Sequence, residues 1–195
     1  MNPLKSAWGT IIMGAIIAAV IAIAAGSVGP VSTWGFVIWI HVIVGITWIG
    51  LLYYFNFVQV QALAEAASDE GGPGGAGITK YVAPRALLWF RWAAVVTWLS
   101  GAWYLMVTGE LINAFTLSGQ YGLTIGIGAW MGTIMLFNVW ILIWPNQKKV
   151  LGLVEATPEQ IAKAKSTALM ASRTNTMLSI PMLMSMVGAH HGFFI

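Results

Sequence analysis

The chain has 195 residues, 58% of them hydrophobic and only 8% charged, with a formal net charge of +3. A soluble domain averages about 25% charged residues, so a water-soluble fold of this length would lack the polar surface to cover its core. The basic excess fits a membrane-topology signal that also meets anionic headgroups, and it carries no nucleic-acid signature.

There are no cysteines. Disulfides, thiolate metal sites, iron–sulfur clusters and covalently attached c-type haem are therefore excluded. Any cofactor must be held by His, Met, carboxylate, amide or aromatic groups.

Hydropathy predicts five membrane helices, over 8–25, 34–57, 85–108, 121–144 and 158–192. The first is close to the ~20 residues a spanning helix needs. It lacks the small-x-small cleavage site of a signal peptide and is expected to be a retained anchor. Gly26-Ser27-Val28-Gly29-Pro30 breaks it. After the second segment the composition shifts. Residues 61–84 hold Glu65, Asp69, Glu70 and the run Gly71-Gly72-Pro73-Gly74-Gly75-Ala76-Gly77, which predicts a flexible cytoplasmic loop.

The third segment is followed by an outer loop whose one charge is Glu110, and Pro145 is expected to stop the fourth. Thr157-Pro158-Glu159-Gln160 is a capping box with Pro at the first helical position, and opens the fifth. Pro181 should kink that helix. Gly128 and Gly132 form a small-xxx-small pair suited to close helix approach. Trp8, Trp34, Trp89 and Trp144 lie near segment ends, as interfacial belts require, while Trp48, Trp98 and Trp130 lie deeper, where packing accounts for them.

With this division all nine basic residues (Lys5, Lys80, Arg85, Arg91, Lys148, Lys149, Lys163, Lys165 and Arg173) fall on one side. The expected fold is thus a single all-α integral membrane domain, a bundle of five transmembrane helices with the N-terminus inside and the C-terminus outside. A multi-pass protein of a bacterial cytoplasmic (inner) membrane is the matching localisation.

Helix parity brings His41, His190 and His191 to the outer leaflet. An ionisable group within a span is a functional candidate, and imidazole is the usual axial ligand of haem b. His41 with His190 or His191 is therefore a candidate pair for haem iron. The alternative has His41 bonded to a neighbouring carbonyl and the terminal pair solvated.

At the other leaflet Arg91, Asn138, Arg173 and Asn175, with Asn56 and Gln59 at the end of the second segment, reach similar depth. They suit an anionic planar molecule or haem propionates, or else an interhelical hydrogen-bond clamp. Every carboxylate lies in a loop or at the very start of the long fifth helix, which disfavours a proton-relay transporter.

Several blocks resemble one family. They are Ile40-His41-Val42-Ile43-Val44-Gly45-Ile46-Thr47-Trp48-Ile49-Gly50, Thr97-Trp98-Leu99-Ser100-Gly101, Gly132-Thr133-Ile134-Met135-Leu136-Phe137-Asn138-Val139-Trp140 and Ile143-Trp144-Pro145-Asn146-Gln147-Lys148-Lys149, then Ser172-Arg173-Thr174-Asn175-Thr176, Leu178-Ser179-Ile180-Pro181-Met182-Leu183 and His190. Together they are similar to the urate oxidase N-terminal family, the membrane domain of cytochrome-linked urate hydroxylases. The stretch from His41 to Tyr53 is also similar to the first helix of the haem-binding protoporphyrinogen oxidase family.

The resemblance implies a membrane redox protein with His41 and His190 as haem ligands. It makes Arg91, Asn138, Arg173 and Asn175 candidates to line a pocket for urate or a similar planar anion. Full-length members carry further membrane segments and a C-terminal c-type cytochrome. This chain has no cysteine for covalent haem, so electrons are expected to leave to a separate periplasmic c-type cytochrome. The second expectation is a non-catalytic accessory subunit of a larger respiratory or oxygenase membrane complex.

Overall fold

The computed structural model describes residues 2–26 and 32–192. Among the described residues all regular structure is helical. The break expected at 27–30 lies outside them. Two units are distinguished, Met1–Val37 and Ile38–Ile195.

The first unit contains a short turn, Pro3–Lys5, and helix α1, Ala7–Gly26. Ser6 caps α1, its Oγ accepting the Gly9 N–H at 3.0 Å. No residue of α1 is buried, and Ile12, Ile16, Val20 and Ile23 are all exposed. A helix apolar on every side has lipid as its natural surrounding.

Helix α2 (Thr33–Tyr54), which belongs to the second unit from Ile38 on, runs through a π-helical turn, Phe55–Gln59, into α3 (Val60–Ser68). A second π-helical turn, Ile78–Val82, leads into α4 (Ala83–Val107). The short α5 (Leu111–Thr116) precedes α6 (Gly119–Phe137), which passes through a third π-helical turn, Asn138–Ile143, into α7 (Trp144–Val150). The long α8 is Pro158–His191.

The helical runs outlast two of the expected stops. Of the loop expected over 61–84, residues up to Ser68 continue as α3 and helix resumes before Ile78, which leaves only the glycine-rich centre irregular. Pro145 does not end the fourth segment, which goes on to Val150. It sits in the first turn of α7, where a missing N–H costs little, directly after a wide π-helical turn.

Three helical stretches are long and apolar enough to cross a membrane: Ala7–Gly26, Thr33–Ser68 and Gly119–Val150. α4 and α8 are long enough, at 25 and 34 residues, or about 37 and 51 Å at 1.5 Å per residue. They are less apolar because α4 carries Arg85 and Arg91, and α8 carries Glu159, Lys163, Lys165 and Arg173. α4 exposes Leu88, Trp92, Val96, Leu99 and Trp103 along one stripe and buries Leu87, Phe90, Ala94 and Thr97 along the other.

The buried face of α8 is small and polar: Ala164, Ala168, Ala171, Asn175, Ser179, Ser185 and Gly188. Its opposite face shows Met170, Met177, Ile180, Met184 and Val187. Small residues let helix backbones approach closely where no hydrophobic effect drives association.

α8 packs most extensively on α6. Ser185 Oγ accepts the Gly128 N–H at 2.8 Å and donates to the Thr124 carbonyl. The hydroxyl is thus placed at an i, i−4 pair of the α6 ladder. A Cβ at Gly128 would lie 2.8 Å from that oxygen, so glycine is required there. The main core joins Trp48, Leu52 and Phe55 with Leu87, Phe90, Met135, Val139 and Met182. Phe55 and Phe90 meet edge to face at 5.4 Å.

Candidate functional site

On α2 the positions His41, Gly45, Trp48, Leu52 and Phe55 recur at alternating spacings of four and three, one face of a 3.6-residue helix. That face lies against α4. The His41 imidazole meets the α4 backbone, its Nδ1 2.9 Å from the Thr97 carbonyl and 3.3 Å from Ser100 Oγ. A carbonyl only accepts, so Nδ1 carries the proton. The neutral ring then keeps its lone pair on Nε2, which no hydrogen bond from the described residues occupies. Ser100 spends its own proton on the Val96 and Thr97 carbonyls at 2.7 and 3.0 Å. Gly101 allows the close approach: a Cβ there would stand 2.9 Å from His41 Cε1.

Thr97, Gly101 and Tyr104 share one face of α4, and Tyr104 leads to the second imidazole. His190 packs against Tyr104 with ring centroids 6.4 Å apart, and edge-on to Tyr121 at 5.7 Å. Gly192, at φ 68°, ends α8 just beyond. His191 is exposed and makes no such contact. The structure therefore ties His41 and His190, though not His191, to a single face of α4. Their contact points, Thr97 and Tyr104, are about 10 Å apart along the axis.

The four residues expected at the opposite end do not form one ring. Asn138 Nδ2 donates to Asn175 Oδ1 at 2.9 Å, and Asn175 Nδ2 donates to the Met135 carbonyl at 3.0 Å. Asn175 is fully buried. Arg173, two residues earlier and so about 200° round the helix, is exposed on another side of α8. It lines an open groove of about 330 Å³ with Asn56, Phe57, Gln61, Thr176, Met177 and Ile180. Arg91 lies elsewhere, buried with its Cζ 3.4 Å from the Trp144 ring centroid.

Asn56 is the informative member of the groove. Its Nδ2 donates to the Leu52 carbonyl at 2.9 Å and to Ser172 Oγ at 2.8 Å. These bonds fix the amide orientation and leave Oδ1 buried without a partner. A second groove, about 410 Å³, is lined almost wholly by apolar atoms between Ile46–Leu51 and Arg85–Trp89. Neither groove touches a histidine.

Hydroxyls supply the contacts that sequence reasoning left out. Tyr53 OH pairs with Ser179 Oγ at 3.0 Å, and Trp98 Nε1 donates to Thr133 Oγ1 at 2.9 Å. The signal was present for Ser179 and Ser185, which repeat the α8 face begun by Ala168, Ala171 and Asn175. Among the described residues no cluster of three or more His, Asp or Glu side chains forms a metal site; axial ligation of haem asks for two imidazoles only.

Comparisons with curated proteins and with solved structures each return no match. The family described as urate oxidase N-terminal matches twice, over residues 32–117 and over residues 110–195. The two stretches together take in nearly all of the chain beyond α1, and the chain belongs to the urate oxidase N-terminal family.

Proposed function

We propose that this chain is a membrane redox protein that binds haem b, related to the membrane domain of urate hydroxylases. The observation that carries the proposal is the His41 imidazole. Its Nδ1–H is tied to the Thr97 carbonyl and its Nε2 is left with a lone pair. Such a second-shell bond orients a ligating imidazole and raises its basicity. His190 would supply the other axial position, because Tyr104 and Tyr121 hold it on the same α4 face; His191 is the reserve ligand. When bound, haem supplies one-electron chemistry. The chain's own part is to hold the imidazole neutral, fix its tautomer and keep the surroundings apolar.

The membrane arrangement we propose has five spans, with α4 and α8 crossing alongside the three apolar stretches, the N-terminus inside and the C-terminus outside. Their lengths and their exposed apolar stripes support it. So does the pairing of helix ends: the start of α2 and the end of α8 both meet the later turns of α4, while Asn56 of the α2 run meets Ser172 of α8.

For a substrate, the groove of Arg173 and Asn56 suits a planar anion that also carries ring N–H groups, such as urate. Arg173 would meet the anionic oxygen, and Asn56 Oδ1 is an acceptor in need of a donor. Arg173 and His190 are separated by about 25 Å along α8, so groove and haem are separate sites, and electrons that left at the outer end would pass to a separate carrier such as a periplasmic c-type cytochrome. Asn138 and Asn175 would act by holding the helices that form the groove.

The test is a reduced-minus-oxidised spectrum of the purified chain expressed with ample haem. A b-type band that His41→Ala abolishes is expected. A colourless wild-type protein overturns the proposal and favours the accessory-subunit alternative, to which the lipid- or partner-facing stripe of α4 is equally suited.

A further inference from the structure

Arg91 lies inside the protein at 8% exposure. Its Nε and Nη1 are buried with no hydrogen-bond partner, and so is the neighbouring Trp140 Nε1. The guanidinium is 3.4 Å from the Trp144 ring centroid and 5.9 Å from that of Trp140. On the same Trp144 ring sits a second cation, Lys148, at 6.0 Å. Stacking on indole stabilises a cation, but it satisfies no N–H group. Each such group left unpaired and buried costs stability until an acceptor reaches it. No carboxylate is available from α2, α4, α6 or α7, and α8 carries only Glu159, in its first turn.

We infer that Arg91, Trp140, Trp144 and Lys148 form a binding site for the phosphate group of an anionic phospholipid. Only an acceptor-rich anion fits three orphaned donors and two cations around one indole. Guanidinium presents a fork that matches phosphate oxygens, and Lys148 adds a mobile point charge at the rim. Trp144, Pro145 and the two lysines of α7's last turn form the interfacial end of the fourth segment, where headgroup phosphates lie. Basic pockets between membrane helices bind anionic headgroups by this chemistry. The site deepens the assignment of Arg91 to an anionic group and does not depend on haem at His41.

The test uses the full chain in zwitterionic detergent, titrated with phosphatidylglycerol, with phosphatidylcholine and with inorganic phosphate. Trp fluorescence and lipid retained in native mass spectrometry are read. Phosphatidylglycerol is expected to be retained and to change the fluorescence, with affinity about tenfold weaker in Lys148→Gln and weaker still in Arg91→Gln. Should Arg91→Gln fail to fold, Arg91→Lys keeps the charge, removes the fork and is expected to weaken binding comparably. A matching response to inorganic phosphate keeps the phosphate site and assigns it to the free anion. Equal responses to phosphatidylcholine and phosphatidylglycerol, or responses unchanged by both substitutions, overturn it. His41→Ala is expected to bind phosphatidylglycerol as the wild type does; binding seen only in His41→Ala would identify a haem propionate as the wild-type occupant and overturn the lipid site, whereas loss of the haem band alone bears only on the haem proposal.

Discussion

The two ends of the helical bundle treat their polar groups in opposite ways. At the asparagine end the amides of Asn138 and Asn175 are spent on each other and on the Met135 carbonyl, joining the α6 run to α8. At the histidine end, among the described residues, one imidazole is tied through Nδ1 and the other is held by the rings of two tyrosines. A polar group whose bonds are spent holds helices in register; one with a lone pair to spare can take a ligand. Substitutions of Asn138 or Asn175 should therefore cost stability, and those at the histidine end should cost binding.

The largest effect should come where neither end can escape it. Gly128→Leu drives a side chain into Ser185 Oγ and the Met186 methyl, at the α6–α8 contact that joins both regions. Overpacking of this kind costs about 3 kcal/mol. Denaturant-resistant fold and haem band should disappear together; retention of either would mean the α6–α8 contact is not shared by the two ends.

Asn175→Ala sharpens the contrast. It removes the bond to Asn138 and the bond to the Met135 carbonyl at a fully buried position. The expected loss is about 2 kcal/mol, seen as a lower unfolding midpoint, with the haem spectrum unchanged. The converse variant is Gly101→Val, whose Cβ would collide with the His41 ring. It should cost about 1 kcal/mol yet remove most of the haem band. Equal effects of the two substitutions on the spectrum would erase the distinction between the ends.

How much of this could be read from the chain varies with the distance over which each feature is set. The capping box of Thr157 and Gln160 is local and forms as expected, through Oγ and Oε1 contacts of 3.3 and 3.0 Å. The apolar segments were equally plain, since helices such as α1 are long and apolar throughout. The π-helical turns were not legible, because an i→i+5 pattern spreads over five or six ordinary residues such as Phe55–Gln59 and Asn138–Ile143. These two turns carry Asn56 and Asn138, so the same hidden feature places both of these amides. Depth along the membrane suggested a single ring of Arg91, Asn138, Arg173 and Asn175. Angle decides otherwise: residues 173 and 175 face opposite ways on any straight helix. Arg91 turns to Trp144 because its neighbours on α4 aim that face at the Trp140–Trp144 side, a tertiary fact.

The smallest effects belong to the entrance of α8, remote from both ends. Thr157→Ala removes the side chain that accepts the Gln160 N–H and breaks the reciprocal cap, at a cost of about 1 kcal/mol. The same turn gives a weak pH dependence. Its own backbone N–H, and then the Thr157 hydroxyl, hold the exposed Glu159 carboxyl below its ordinary pKa of 4.5. A carboxyl whose pKa is lowered on folding stabilises the fold fully above its ordinary value, and that contribution is lost as pH falls through the lowered one. Wild type should therefore lose a little stability below pH 4.5 that Thr157→Ala has in part already lost. Parallel acid limbs for the two proteins, in unfolding midpoints measured from neutral pH downward, would show that the cap and the carboxyl act independently.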